Sequence, residues 1–153
     1  KAFRVAQARA AAGFRWVQLP GRALDIGVGG AAYVIGTNQG IYRWTGRTWS
    51  RISGAAVRID VDGRGTPWVV NKAGAIYRRA GNGWRRMLGA ARDIGVGANG
   101  AVWVIGTDSG TYRWNGRGWT KVPGAAVGIS VGRAGKPWVV TAGRVIFRGS
   151  RVR

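Results

Sequence analysis

Apolar residues in this chain fall into short runs separated by Gly, Asn, Asp or Pro, and no leucine-rich stripe of helical period occurs anywhere. One stretch shows the pattern clearly, with runs from Arg92 to Val96, Val102 to Thr107, Thr111 to Trp114 and Trp119 to Val122. Such runs of β-branched and aromatic residues between turn formers read as short β-strands joined by tight turns. Several, such as Trp103-Val104-Ile105 and Trp138-Val139-Val140, are apolar at every position. A strand of that kind needs cover on both faces, so the sheets must stack on one another.

The runs also repeat. Trp16, Trp49, Trp84 and Trp119 are 33, 35 and 35 residues apart. Landmarks of the second copy (Gly54-Ala55-Ala56-Val57, Ile59, Val61, Pro67-Trp68-Val69-Val70, Ile76-Tyr77-Arg78) recur 70 residues later in the fourth, from Gly124 to Arg148. First and third copies share Asp25-Ile26-Gly27-Val28-Gly29 with Asp93-Ile94-Gly95-Val96-Gly97. They also share Tyr42-Arg43-Trp44 with Tyr112-Arg113-Trp114. The first copy is two residues shorter before Tyr33, which stands where Trp103 stands. A repeat of this length is one supersecondary unit that cannot bury its apolar face alone. Four strands fill each unit, and a radial stack of four-stranded blades satisfies every face, so the pattern predicts an all-β fold, a β-propeller of about four blades.

Closure is expected in one of two ways. The fourth copy ends near Arg148 without a final Trp strand, while Trp16-Val17-Gln18-Leu19 stands without preceding strands. The N-terminal strand therefore completes the last blade, or oligomerisation or further sequence completes a larger ring. Residues 1–14 are Ala-rich and read as an N-terminal arm or short helix, with the propeller domain over 15–153. Phe3-Arg4 resembles the aromatic-Arg pair of the repeats.

Charge changes the picture of partners. Twenty-one Arg and four Lys face five Asp and no Glu, a net charge of +20. Such a surface attracts polyanions and releases their counterions, with steep salt dependence. The candidates are lipopolysaccharide phosphates, acidic polysaccharides, an acidic protein partner, an anionic membrane surface and, less favoured, nucleic acid. Arg also suits bidentate contacts to phosphate or carboxylate and stacking on aromatics.

Arg43, Arg78, Arg113 and Arg148 follow the aromatic residue of each repeat, one per blade. They either form a circle of guanidinium groups or pack on neighbouring tryptophans as cation–π pairs. Trp44 and Trp114 occur only in the odd copies, where the even ones carry Arg79 and Gly149. A variable position on a constant scaffold is a ligand candidate. Trp114 flanked by Arg113 and Asn115, and Trp44 by Arg43, would present an aromatic face and cations to a sugar. Packing between blades is the alternative for both. Packing is also the role expected of Trp16, Trp49, Trp68, Trp84, Trp103, Trp119 and Trp138. Asp60-Val61-Asp62-Gly63 has two carboxylates at i and i+2, but Arg64 follows and a turn is expected rather than a calcium loop. Asp25 and Asp93 are expected to anchor hydrogen bonds between blades or an Arg ion pair.

The landmarks taken in order (Trp-x-x-Ile/Val-x-Gly-x-Ala, an Ile-x-Val strand, a Trp-Val strand, Ile-Tyr-Arg) resemble the tectonin repeat of the tectonin/tachylectin-1-like lectins, from Trp16 to Arg148. The resemblance implies a β-propeller that binds carbohydrate or bacterial lipopolysaccharide on loops or between blades. His, Cys and Glu are absent, which removes the commonest bases, nucleophiles and metal ligands. An enzyme is not expected, nor a cofactor. No apolar run approaches the ~20 residues of a membrane-spanning helix. The expectation is a non-enzymatic lectin, secreted, periplasmic or at the cell surface, as monomer or homo-oligomer. The rival reading is a basic architectural subunit docking on an acidic partner, membrane or nucleic acid.

Overall fold

The computed structural model describes residues 13–151. Fourteen strands occur among them, every pairing antiparallel. Blade I contains β1 (Ala23–Val28), β2 (Ala32–Gly36), β3 (Gly40–Trp44) and β4 (Trp49–Ala55). Blade II contains β5 (Arg58–Val61), β6 (Pro67–Val70), β7 (Ala75–Ala80) and the first half of β8 (Gly83–Val96). The second half of β8 opens blade III, followed by β9 (Val102–Gly106), β10 (Gly110–Trp114) and β11 (Trp119–Ala125). Blade IV has β12 (Gly128–Val131), β13 (Pro137–Val140) and β14 (Ile146–Arg148). Inner strands pack in succession, β1 on β5, β5 on β8 and β8 on β12. The fold is that of a β-propeller, blades stacked as a curled fan.

Two apolar clusters glue the blades. Tyr33, Ile35 and Ile41 of blade I meet Ile59, Val61 and Val69 of blade II. Trp68, Val70 and Ile76 of blade II meet Ile94, Val96, Val102 and Val104 of blade III, with Met87 beside them. All-apolar β9 is buried at every position, as its sequence demands.

Three carboxylates fasten the inner strands. Asp25 accepts from the Ile59 N–H at 2.8 Å, Asp60 from Val96 N–H at 2.7 Å and Asp93 from Ile129 N–H at 2.9 Å. Each bond crosses from one blade to the next, and Arg58 lies 3.8 Å from Asp93. The inter-blade anchoring expected of Asp25 and Asp93 is therefore what the structure contains. Asp60 does the same work two places later in the repeat. Asp62 accepts from Arg64 and Thr66 N–H at 2.9 Å, which makes that segment a turn.

Burial pushes the carboxyls of Asp25, Asp60 and Asp93 above the ordinary 3.8, and their N–H donors pull them back only in part. A raised folded-state value means the folded protein binds protons more readily than the unfolded chain. Their contribution to stability is present in full below 3.8 and is lost as pH rises through the folded values. Stability should therefore rise as pH falls from neutrality towards that value, and Asp25→Asn/Asp60→Asn/Asp93→Asn should flatten the slope. Urea midpoints across the range would show it; a midpoint falling steadily with acid in this window would contradict it.

Among the described residues, the N-terminal segment does not pair with the last blade. Residues 15–19 form no strand, and β14 is the edge of its sheet. The segment is held instead at blade I, where the Trp49 indole donates to the Pro20 carbonyl at 2.8 Å. Two of the repeat tryptophans, Trp16 and Trp138, are exposed rather than buried. The arm expected over 1–14 lies outside the described residues except for Gly13 and Phe14, and Phe3-Arg4 lies wholly outside them.

Candidate functional site

Consecutive strand residues point to opposite faces, and this decides which candidates can meet. Arg113 sits opposite Trp103 across the β9–β10 pair, its guanidinium 5.9 Å from that ring, while Trp103 donates to the Gly135 carbonyl of blade IV. Trp114, the next residue, turns the other way to meet Trp68 of blade II edge-on at 6.2 Å and its hairpin partner Trp119 at 5.0 Å. The expected trio of Trp114, Arg113 and Asn115 is therefore not one pocket. Asn115 is occupied in its turn, accepting from Arg117 and Gly118 N–H at 2.9 Å and donating to Thr120.

The one-per-blade arginines share a common geometry. Arg78 and Arg148 lie over Trp68 and Trp138 at 5.9 and 5.4 Å, matching Arg113 over Trp103. Arg43 takes the same register opposite Tyr33. Guanidinium over an indole face is a favourable electrostatic contact. Arg79 replaces Trp114 in the even blade, over Trp84 at 5.2 Å, with Nη1 buried and without a hydrogen-bond partner.

What Trp114 closes is a cleft of about 660 Å³ between blades II and III. Trp68 and Met87 line its floor, Arg78, Arg85 and Arg86 one wall, and Trp114 and Arg117 the other, with Asp62 at the turn between β5 and β6. Four guanidinium groups against one carboxylate make it strongly electropositive, and two indoles give it apolar faces. Of the residues singled out from sequence, Arg78 and Trp114 meet here. Trp44 pairs with Trp49 at 4.9 Å on the open side of blade I, Arg43 is in the same blade, and Arg148 lies on exposed β14. Arg85, Arg86 and Arg117 escaped sequence reasoning. A signal existed: the pair after Trp84 is Arg-Arg, where the other copies read Val17-Gln18, Ser50-Arg51 and Thr120-Lys121.

This arrangement offers charge-assisted hydrogen bonds to phosphate or carboxylate beside a flat apolar surface. Among the described residues no cluster of three metal-ligating side chains occurs, and no helix is long and apolar enough to cross a membrane.

Comparison with known proteins agrees with the geometry. The chain is similar in fold to YCF48 bound to a D1 peptide, with 20% identity and a TM-score of 0.57 over 89% of this chain and 54% of that one. It is similar also to the WD40 β-propeller domain of Doa1, with 14% identity and a TM-score of 0.67 over 85% of this chain and 51% of that one. The chain thus spans about half the length of each. No curated protein is similar enough to count as a relative. The tectonin domain matches residues 3–80 and again 62–152. Together with the four-stranded blades and their repeating indole and aspartate ties, these matches mean that the chain belongs to the tectonin family.

Proposed function

We propose that this tectonin protein is a non-enzymatic carbohydrate-binding protein, a lectin that takes acidic or phosphorylated glycans such as lipopolysaccharide in clefts between blades. The observation that carries the proposal is the cleft between blades II and III, where Trp68 and Trp114 stand among Arg78, Arg85, Arg86 and Arg117. An indole stacks on the C–H face of a sugar ring, and guanidinium groups grip its anionic substituents. Repeated shallow clefts would add avidity. A protein that meets such glycans would be secreted, periplasmic or at the cell surface.

A second reading has its own support in the charge of +20: the cleft holds an acidic peptide or another polyanion. YCF48, similar in fold, was solved with a peptide.

Binding of lipopolysaccharide and of a matched-charge polyanion at low salt and at about 0.5 M salt separates the two, since screening then leaves only a few ångströms of electrostatic reach. Glycan binding should persist, weakened, at high salt. Arg85→Gln/Arg117→Gln, on exposed side chains outside the core, should weaken it about 10- to 100-fold, one or two lost charge-assisted bonds. Glycan binding that disappears with salt, alongside equal binding of any polyanion, would overturn the lectin reading.

A further inference from the structure

Blade II differs from the blades on either side of it at one place in its cleft. Across each sheet runs a row of side chains on the face turned to the next blade. In blade I the row is Tyr33, Arg43 and Ser50, and in blade III it is Trp103, Arg113 and Thr120. In blade II it is Trp68, Arg78 and Arg85. The shared arginine thus has a hydroxyl beside it in two blades and a second guanidinium in the third.

Residues directly opposite on antiparallel strands have Cβ atoms about 4.5–5.5 Å apart, and like charges placed so repel. Among the described residues neither Arg78 nor Arg85 forms an ion pair; Arg58 does so with Asp93 and Lys121 with Asp108. Both side chains are exposed, and Arg78 rests over the Trp68 ring at 5.9 Å. Asp62 lines the same cleft, but its Oδ1 accepts from the Arg64 and Thr66 N–H groups of its own turn. From the facing wall Arg117 adds a third guanidinium, in a turn that Asn115 holds by accepting from the Arg117 and Gly118 N–H groups. Arg86 opposes Tyr77, so it starts from the other face of β8 and is no part of the row.

We infer that the cleft between blades II and III is a phosphate-monoester site, the ester being carried by a sugar; this rests on the lectin reading. A carboxylate has one charge and two oxygens, which a single guanidinium satisfies side-on. Sulfate esters and phosphodiesters also carry one charge. A phosphate monoester approaches two charges above its second ionisation at about 6, on three terminal oxygens. That dianion relieves the repulsion between Arg78 and Arg85 and still offers an oxygen to Arg117. The Trp114 ring, half-buried against Trp68, stands beside it for the apolar face of the sugar. A hydroxyl in place of Arg85, as at Ser50 and Thr120, leaves one cation in the row and removes the reason to prefer a dianion.

Calorimetric titration of the full chain with glucose 1-phosphate, glucose 1-sulfate, glucuronate and inorganic phosphate tests the inference. At about pH 7.5 the sugar phosphate should bind about tenfold or more tighter than the sulfate or glucuronate, the equivalent of one further charge-assisted bond. Towards about pH 5 that advantage should shrink severalfold as the ester gains its second proton, while the sulfate stays level. The charged side chains of the cleft are Arg78, Arg85, Arg86, Arg117 and Asp62, and the chain has no histidine, so a step near 6 belongs to the ester. Arg85→Ser, with folding verified by circular dichroism, should bring the sugar phosphate down to the level of the sulfate, and Arg85→Lys should keep part of the preference. Equal binding of the three sugar anions would overturn the phosphate assignment and spare the lectin reading. A preference untouched by Arg85→Ser, or the absence of a step near pH 6, would overturn it as well. Inorganic phosphate or a phosphoserine peptide binding as tightly as glucose 1-phosphate would uphold the phosphate site and overturn the sugar. Binding of none of these probes would overturn both.

Discussion

Trp68→Ala should lower folding stability by about 3–5 kcal/mol, the loss expected when a buried aromatic leaves a cavity that its neighbours cannot fill. Trp68 stands at the centre of the cluster joining blades II and III, against Val70, Ile76 and Ile94. The substitution also removes the edge contact with Trp114 and the ring under Arg78. Trp138→Ala alters the equivalent position at the exposed end. Its loss should cost less than about 1 kcal/mol, as exposed substitutions do. Chemical denaturation of the two variants measures the difference directly. Equal losses would mean that the central cluster does not hold the blades together.

Gly29→Ala should be almost as damaging for the opposite reason, too much matter rather than too little. A Cβ on Gly29 would lie 2.2 Å from the Asp62 carbonyl oxygen and 2.5 Å from that of Val61, backbone atoms of the adjoining blade. The next residue, Gly30, donates to the same Asp62 carbonyl at 2.8 Å, so the two inner turns cannot separate without losing that bond. Overpacking against backbone costs about 3 kcal/mol, or roughly 6–12 °C in midpoint for a chain of this length. Gly118→Ala is the control. Nothing lies within 4 Å of the added Cβ there, and the melting temperature should be unchanged. A Gly29→Ala midpoint matching that of Gly118→Ala would show that the inner turns yield easily.

These glycines illustrate how far the residues could be read in advance. The repeated Asp-Ile-Gly-Val-Gly was visible as a motif, and its carboxylate was rightly assigned to ties between blades. That its glycines mark where one inner strand touches the next required the neighbouring backbone. Arg85 and Arg86 stand out in sequence as an Arg-Arg pair, but they belong to blade II and share a cleft with Arg117 of blade III, and no local pattern joins the pair to it. Arg113 and Trp114 erred the other way: adjacent in the chain, they face different blades, because a strand reverses its side chains at every residue.

The strands, their turns, the 35-residue unit, the tectonin resemblance and the excess of positive charge all come from short-range regularities, which a linear reading can detect. Strand alternation is local, and so is the need of an apolar strand for cover on both faces. The curvature of the fan was decided elsewhere. It depends on how sheets pack at Trp68, Ile94 and the inner glycines, a sum of small angles no single repeat contains. That packing leaves blade I and blade IV uncovered, brings Arg78 to Trp114, and separates Trp114 from its chain neighbour Arg113.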